Sequence, residues 1–205
     1  MTFVNSAFAS KFRMTATAAA LAFSALAQAQ TSPWAESYRL EAAGKLVEAQ
    51  AQVEPIGSEL SMLRAAYLTA IQGKFADAEA RYKKVASTNP KSIPALTGVM
   101  NQQMAQQRFA DTIVTAQQIL KLNAMDYTAQ TNIMFSQWKT SQWADLAKKA
   151  AEVSPYYPTD VSILVYGARA QAALGNKAEA KNMFSRVLEL FPTHLEANNY
   201  IKSAV

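Results

Sequence analysis

The sequence predicts an all-α protein built from stacked helical hairpins, on three observations. Four short segments read alike and recur every 34 residues: GKFADAEARY from Gly73, QRFADTIVTA from Gln107, SQWADLAKKA from Ser141 and GNKAEAKNMF from Gly175. Half of the 205 residues are hydrophobic and 17% are charged, with 6 Gly and 7 Pro, the composition of packed helices rather than of a disordered chain or a β-sandwich. Cysteine is absent, so neither disulfides nor thiolate metal sites hold the chain together, and packing must.

Residues 1–29 read as a cleavable signal peptide. Lys11 and Arg13 form a basic patch, the apolar run from Met14 to Ala27 follows, and small residues stand at Ala25, Ala27 and Ala29. Two overlapping A-x-A sites place the mature start at Gln28 or Gln30. The apolar run is shorter than the ~20 residues that span a bilayer, so the expectation is a secreted protein, most naturally of the bacterial periplasm, with no stable membrane insertion after cleavage.

Residues 33–58 read as a shortened first hairpin. Its turn, GKLVEA from Gly44, precedes the Gly73 turn by 29 residues, and Pro55-Ile56-Gly57 cuts its second helix early. Residues 59–192 hold four units of the 34-residue period, confirmed in two further registers: Pro90, Ala124, Pro158 and Pro192, and Ala78, Thr112, Leu146 and Ala180. In the first of these units, Leu60, Leu63, Tyr67 and Ile71 mark one helix face, and Phe75, Ala78, Tyr82 and Val85 mark a face of its partner, at helical spacings of three and four. Small residues at the Ala78 position let paired helices approach closely. Asn89-Pro90, Tyr157-Pro158 and Phe191-Pro192 break the chain between units, because the residue before proline avoids helical geometry. Pro155 ends the second helix of its unit early.

A fixed 34-residue period with a turn Gly, a small residue five later and a closing Pro resembles the tetratricopeptide repeat. The resemblance runs from about Pro33 to Val205. It implies a right-handed α-solenoid of helix-turn-helix units that binds a protein or peptide partner in a concave groove, without a cofactor. Residues 193–205 then form a C-terminal capping helix, with Leu195 and Ile201 inward and Glu196, Asn198, Asn199 and Lys202 outward.

Catalytic chemistry finds no footing in the sequence. The single histidine, His194, sits in an inter-unit turn and reads as a surface residue, since a metal site wants three or four converging ligands. No G-x-S-x-G elbow frames a serine, and Gly44-Lys45 and Gly73-Lys74 lack the preceding Gly of a phosphate loop. The formal net charge of +5 falls to +3 once Lys11 and Arg13 are removed, and clusters such as Arg81, Lys83, Lys84 and Lys148, Lys149 are interspersed with acids. Nucleic acid is therefore not the expected partner.

In such an array the first helix of every unit lines the groove, and groove positions recur with the period. The Tyr67 row continues through Asn101, Phe135 and Arg169, with Tyr38 in the shortened unit; a second runs through Leu63, Thr97, Thr131 and Val165; a third through Ala70, Met104, Trp138 and Ala172. The candidate groove is thus Tyr67, Asn101, Met104, Thr131, Phe135, Trp138 and Arg169, aromatic and Met anchors beside one Asn and one Arg. Phe135 and Trp138 suit either groove or core, whereas Phe109 and Trp143, at the turn position, read as core. The expected function is that of an adaptor or scaffold in envelope assembly, secretion or polymer export. The alternative is a cell-wall-associated binding protein or an enzyme accessory subunit.

Overall fold

The computed structural model describes residues 32–203, so the segment read as a signal peptide lies outside them. Among the described residues there are eleven α-helices and no strands, and the chain divides between Gly57 and Ser58 into two units. The first unit is a single hairpin: α1 (Pro33–Ala42) and α2 (Leu46–Val53), followed by a 3-10 turn, Glu54–Ile56. Pro33 pre-sets the first turn of α1 and the Ser32 hydroxyl accepts from Ala35 N at 3.3 Å. Leu40, Ala49 and Val53 are its buried apolar residues.

The second unit is an array of four hairpins and one closing helix: α3 (Glu59–Ile71) with α4 (Phe75–Thr88), α5 (Ile93–Ala105) with α6 (Phe109–Leu122), α7 (Tyr127–Lys139) with α8 (Trp143–Val153), α9 (Val161–Ala173) with α10 (Lys177–Leu190), then α11 (Leu195–Ser203). First helices begin at 59, 93, 127, 161 and 195, second helices at 75, 109, 143 and 177, so the 34-residue period is kept at every helix start. Consecutive helices pack on one another throughout, an all-α solenoid of repeats.

A column of capping residues enforces this register. Ser58, Ser92, Asp126, Asp160 and His194 each accept, through the side chain, the backbone N–H three residues on, at 3.2, 3.3, 2.9, 3.1 and 3.2 Å. Each satisfies one of the donors that a helix start leaves unpaired. His194 is therefore a partly buried cap, accepting through Nδ1, rather than a free surface residue. The column also holds units together: Asp160 accepts from the Tyr127 hydroxyl at 2.7 Å, and this bond pushes the phenol pKa up to about 12.

The helix–helix turns form a second column, Gly73, Gln107, Ser141 and Gly175, all left-handed with φ of 77, 57, 56 and 82°. Two of the four lack glycine, and an L side chain is strained there. Gln107→Gly and Ser141→Gly should each raise the unfolding free energy, by about 1 kcal/mol, and add together in the double variant. Chemical denaturation checks this, and an unchanged or lower midpoint contradicts it.

The core follows the small-residue row. Ala78, Thr112, Leu146 and Ala180 are each 0% exposed, where paired helices cross. Beside Ala78, the buried carboxylate of Glu79 has Lys83 Nζ and Arg108 Nη1 each at 2.7 Å and Gln106 Nε2 at 2.9 Å. Burial raises its pKa, but hydrogen bonds from Lys83 and Gln106 and the charges of Lys83 and Arg108 outweigh that and hold it low. Pro155 has the expected effect: α8 has 11 residues, whereas α4, α6 and α10 have 14.

Three further expectations are corrected. Leu195 does not face inward but is 74% exposed, because the His194 cap sets the helix phase so that Ala197, Tyr200 and Ile201, three and four apart, meet the array. Glu196 does not simply face solvent but reaches back to Arg169. Phe109 and Trp143 are partly rather than fully buried, since each sits at the mouth of a hairpin where only one side of the ring meets packed side chains.

Candidate partner-binding groove

Three neighbouring clefts lie along the face lined mainly by the first helices and α11. The first, about 340 Å³, lies between α5, α7 and α9 and is lined by Met104, Tyr127, Thr131, Asn132, Phe135, Ser162 and Tyr166. A smaller one, about 210 Å³, shares Ser162 and Tyr166 with it and extends to Arg169 and His194. The third, about 920 Å³, shares Arg169 and His194 in turn and opens among Trp138, Trp143, Glu196, Asn199, Tyr200 and Ser203. Sharing these walls, the three clefts lie side by side from α5 to α11, and together they are termed the trough.

An aromatic ridge runs through it. Phe109 to Phe135, Phe135 to Trp138 and Trp138 to Tyr166 have ring centroids 6.1, 5.6 and 6.2 Å apart, with inclined planes. These are the separations at which edge-to-face pairs attract. Two cations flank the centre of the ridge: the Arg169 guanidinium lies 4.6 Å from the Trp138 centroid and 5.8 Å from that of Tyr166, while Lys139 Nζ lies 5.2 Å from Trp138 and 5.9 Å from Phe135.

Arg169 is also engaged by α11. Its Nε and Nη2 donate to the two Glu196 carboxylate oxygens at 2.8 and 2.6 Å, a bidentate pair whose hydrogen bonds raise the guanidinium pKa. Burial raises the Tyr166 pKa, opposed by the Arg169 charge, so this hydroxyl stays protonated. The trough therefore offers aromatic area, one internally neutralised Arg–Glu pair and the Lys139 ammonium. Among the described residues no group of three His, Asp or Glu gathers as a metal would require.

The comparisons with known proteins agree with this architecture. A family model described as tetratricopeptide repeat matches residues 163–194, which are α9, its turn and α10. Residues 163–194 are thus a tetratricopeptide repeat, and the array has the fold of tetratricopeptide-repeat proteins. Its fold is similar to that of a tetratricopeptide-repeat protein from Parabacteroides merdae, with a TM-score of 0.70, 15% identity and coverage of 82% of this chain and 69% of that one. It is also similar to YrrB, a tetratricopeptide-repeat protein described as having an unusual peptide-binding site, with a TM-score of 0.69, 13% identity and coverage of 88% and 98%. MamA from Desulfovibrio magneticus is a third, at 0.67 and 13%, covering 78% and 93%. At these identities the likeness is one of fold. No curated protein matches the chain.

Within this tetratricopeptide array the structure gathers five of the seven residues singled out from the sequence. Met104, Thr131 and Phe135 line the first cleft, Trp138 and Arg169 the third. Tyr67 lies outside the three clefts, 42% exposed on α3 with the Arg64 guanidinium 5.6 Å from its ring centroid. Asn101 is exposed on α5, also outside them. The row reading missed Asn132, Tyr166 and Tyr200, which are themselves spaced by 34 and stand one position beyond the Thr131 row. The tetratricopeptide period held that signal. The rows also continue into α11, where Asn199 extends the Thr131–Val165 row and Ser203 the Phe135–Arg169 row.

Proposed function

We propose that the chain is an exported adaptor that binds a protein or peptide partner in this trough, in the periplasm, in the service of envelope assembly, secretion or polymer export. The observation that carries the reading is the ridge of Phe135, Trp138 and Tyr166, partly buried yet lining an open trough, with Lys139 beside it. Aromatic anchors that are half desolvated before binding lose little side-chain freedom on capture, and such residues carry most of the affinity of peptide interfaces. The likeness in fold to YrrB, whose description names a peptide-binding site, supports it.

Photo-crosslinking residues at Thr131 and Lys139 should trap the same partner from an envelope fraction, while one at Lys148, on the outer helix α8, should not. Equal capture from both faces, or from neither, overturns the proposal. Export has its own check: the mature protein should begin at Gln28 or Gln30, and bulky replacements of Ala25, Ala27 and Ala29 should leave a membrane-bound precursor. Intact-mass measurement of a soluble envelope form still carrying Met1 contradicts it.

A further inference from the structure

The third hairpin of the array departs from its neighbours in a way that the period makes visible. Where the others place Ala78, Thr112 and Ala180 at the helix crossing, it places Leu146, fully buried. With this wedge between them, α7 and α8 run less closely together than the helices of any other hairpin.

Helix α7 also holds three buried side-chain oxygens with no hydrogen-bond partner among the described residues: Gln130 Oε1, Ser136 Oγ and Gln137 Oε1, in residues 6, 0 and 7% exposed. The one other such atom, Glu79 Oε1, has Lys83 Nζ 2.7 Å away. Each orphaned amide has a traceable origin. Gln130 stands where the flanking units bury Leu96 and Leu164. Gln137 stands where Gln103 accepts from the Thr115 hydroxyl at 2.8 Å, but the residue in the Thr115 position of α8 is Lys149, whose Nζ turns instead to Glu152 at 2.9 Å. The left-handed Ser141 at the turn and the short α8 weaken the same hairpin.

A buried oxygen without a partner is unfavourable only while the helix is packed; on opening it regains its hydrogen bonds from water. We infer that the hairpin α7–α8 opens locally while its neighbours stay folded, and that this motion lets Phe135 and Trp138, both on α7, adjust to an occupant of the trough. The opening stands on packing alone, whereas its use in capture rests on the partner-binding reading.

Peptide-resolved hydrogen exchange of the mature full chain tests it. Amides of residues 127–153 should exchange about tenfold faster than those of 93–122 and 161–190. Lys149→Thr, which offers Gln137 the hydroxyl that Thr115 offers Gln103, and Gln130→Leu, which restores the leucine of the flanking units, should each slow exchange in 127–153 by roughly fivefold and leave the other hairpins unchanged. Exchange no faster in 127–153 than in its neighbours overturns the inference, whatever the variants do. So does a hairpin whose exchange neither variant slows. A fast-exchanging hairpin in a protein whose Trp138→Ala form still captures its partner establishes the opening and overturns its use in capture, together with the trough reading.

Discussion

Gly98→Ala should destabilise the array by roughly 3 kcal/mol, lowering the thermal midpoint by about 5–10 °C. Gly98 lies inside α5, where alanine would ordinarily gain about 1 kcal/mol of helix propensity. Here a Cβ would fall on the Tyr82 ring of α4, nearer to three of its atoms than side-chain carbons approach one another. The ring has no room to retreat, because Tyr82 is 8% exposed and packed with Ala66, Val99 and Leu63. Overpacking therefore outweighs propensity. Tyr82→Leu removes the ring, so the double variant should recover most of the loss, a coupling that a cycle of the two changes measures. Gly167→Ala makes the contrast: its Cβ would meet the terminal methyl of Met183, which can swing aside, and the Cβ of Ala150 at 3.2 Å, which yields only by a small helix shift, so the variant should lose clearly less than Gly98→Ala. Equal effects at the two glycines would refute the assignment of the Tyr82 contact.

Trp138→Ala should weaken partner capture by about thirtyfold, roughly 2 kcal/mol, with Phe135→Ala close behind. Trp138 is the point where the ridge and both cations meet, touching Phe135, Tyr166, Arg169 and Lys139. Its loss removes contact area and also the surface that fixes Arg169 and Lys139. Trp138→Phe should retain part of the affinity, while Lys148→Glu should leave it unchanged. Arg169→Ala should reveal a smaller, salt-sensitive loss, since the guanidinium is already matched by Glu196. Capture by the parent should persist at salt concentrations that strip phosphate contacts. Normal capture by a folded Trp138→Ala protein would end the trough hypothesis; a variant that loses its far-UV helical signal would make Trp138 a core residue instead.

The period was the most legible feature of this sequence, because every unit repeats the same packing problem and so the same residue sizes at the same places. It located the turns at Gly73, Gln107, Ser141 and Gly175 and the small row at Ala78, Thr112, Leu146 and Ala180. What composition alone hid was chemistry shared by unlike residues: Ser58, Ser92, Asp126, Asp160 and His194 cap alike although three residue types do so. The trough was legible to within one position. Rows drawn at Thr131 and Phe135 pass beside Asn132, Tyr166 and Tyr200, since the face that neighbouring units leave open is wider than a single line of side chains. The Arg169–Glu196 pair was not legible, because residues 27 apart meet only once α11 has docked beside α9. The phase of α11 was misread because the large apolar Leu195 stands at the helix start, off the line that Ala197, Tyr200 and Ile201 present to the array.

The last described helix turns out a face unlike those of the first helices before it. In α5 and α9 the positions that face the partner helix are apolar, Leu96 with Met100 and Leu164 with Ala168; α7 already carries one polar residue there, Gln130, and α11, 34 residues beyond α9, presents two, Asn198 and Lys202. Two polar side chains thus roughen the seat that α5 and α9 offer to a second helix, and Asn198 bends back to its own turn, donating to the Pro192 and His194 carbonyls. With Asn198→Leu and Lys202→Ala that face would become an apolar coupling surface, against which a second molecule would stick.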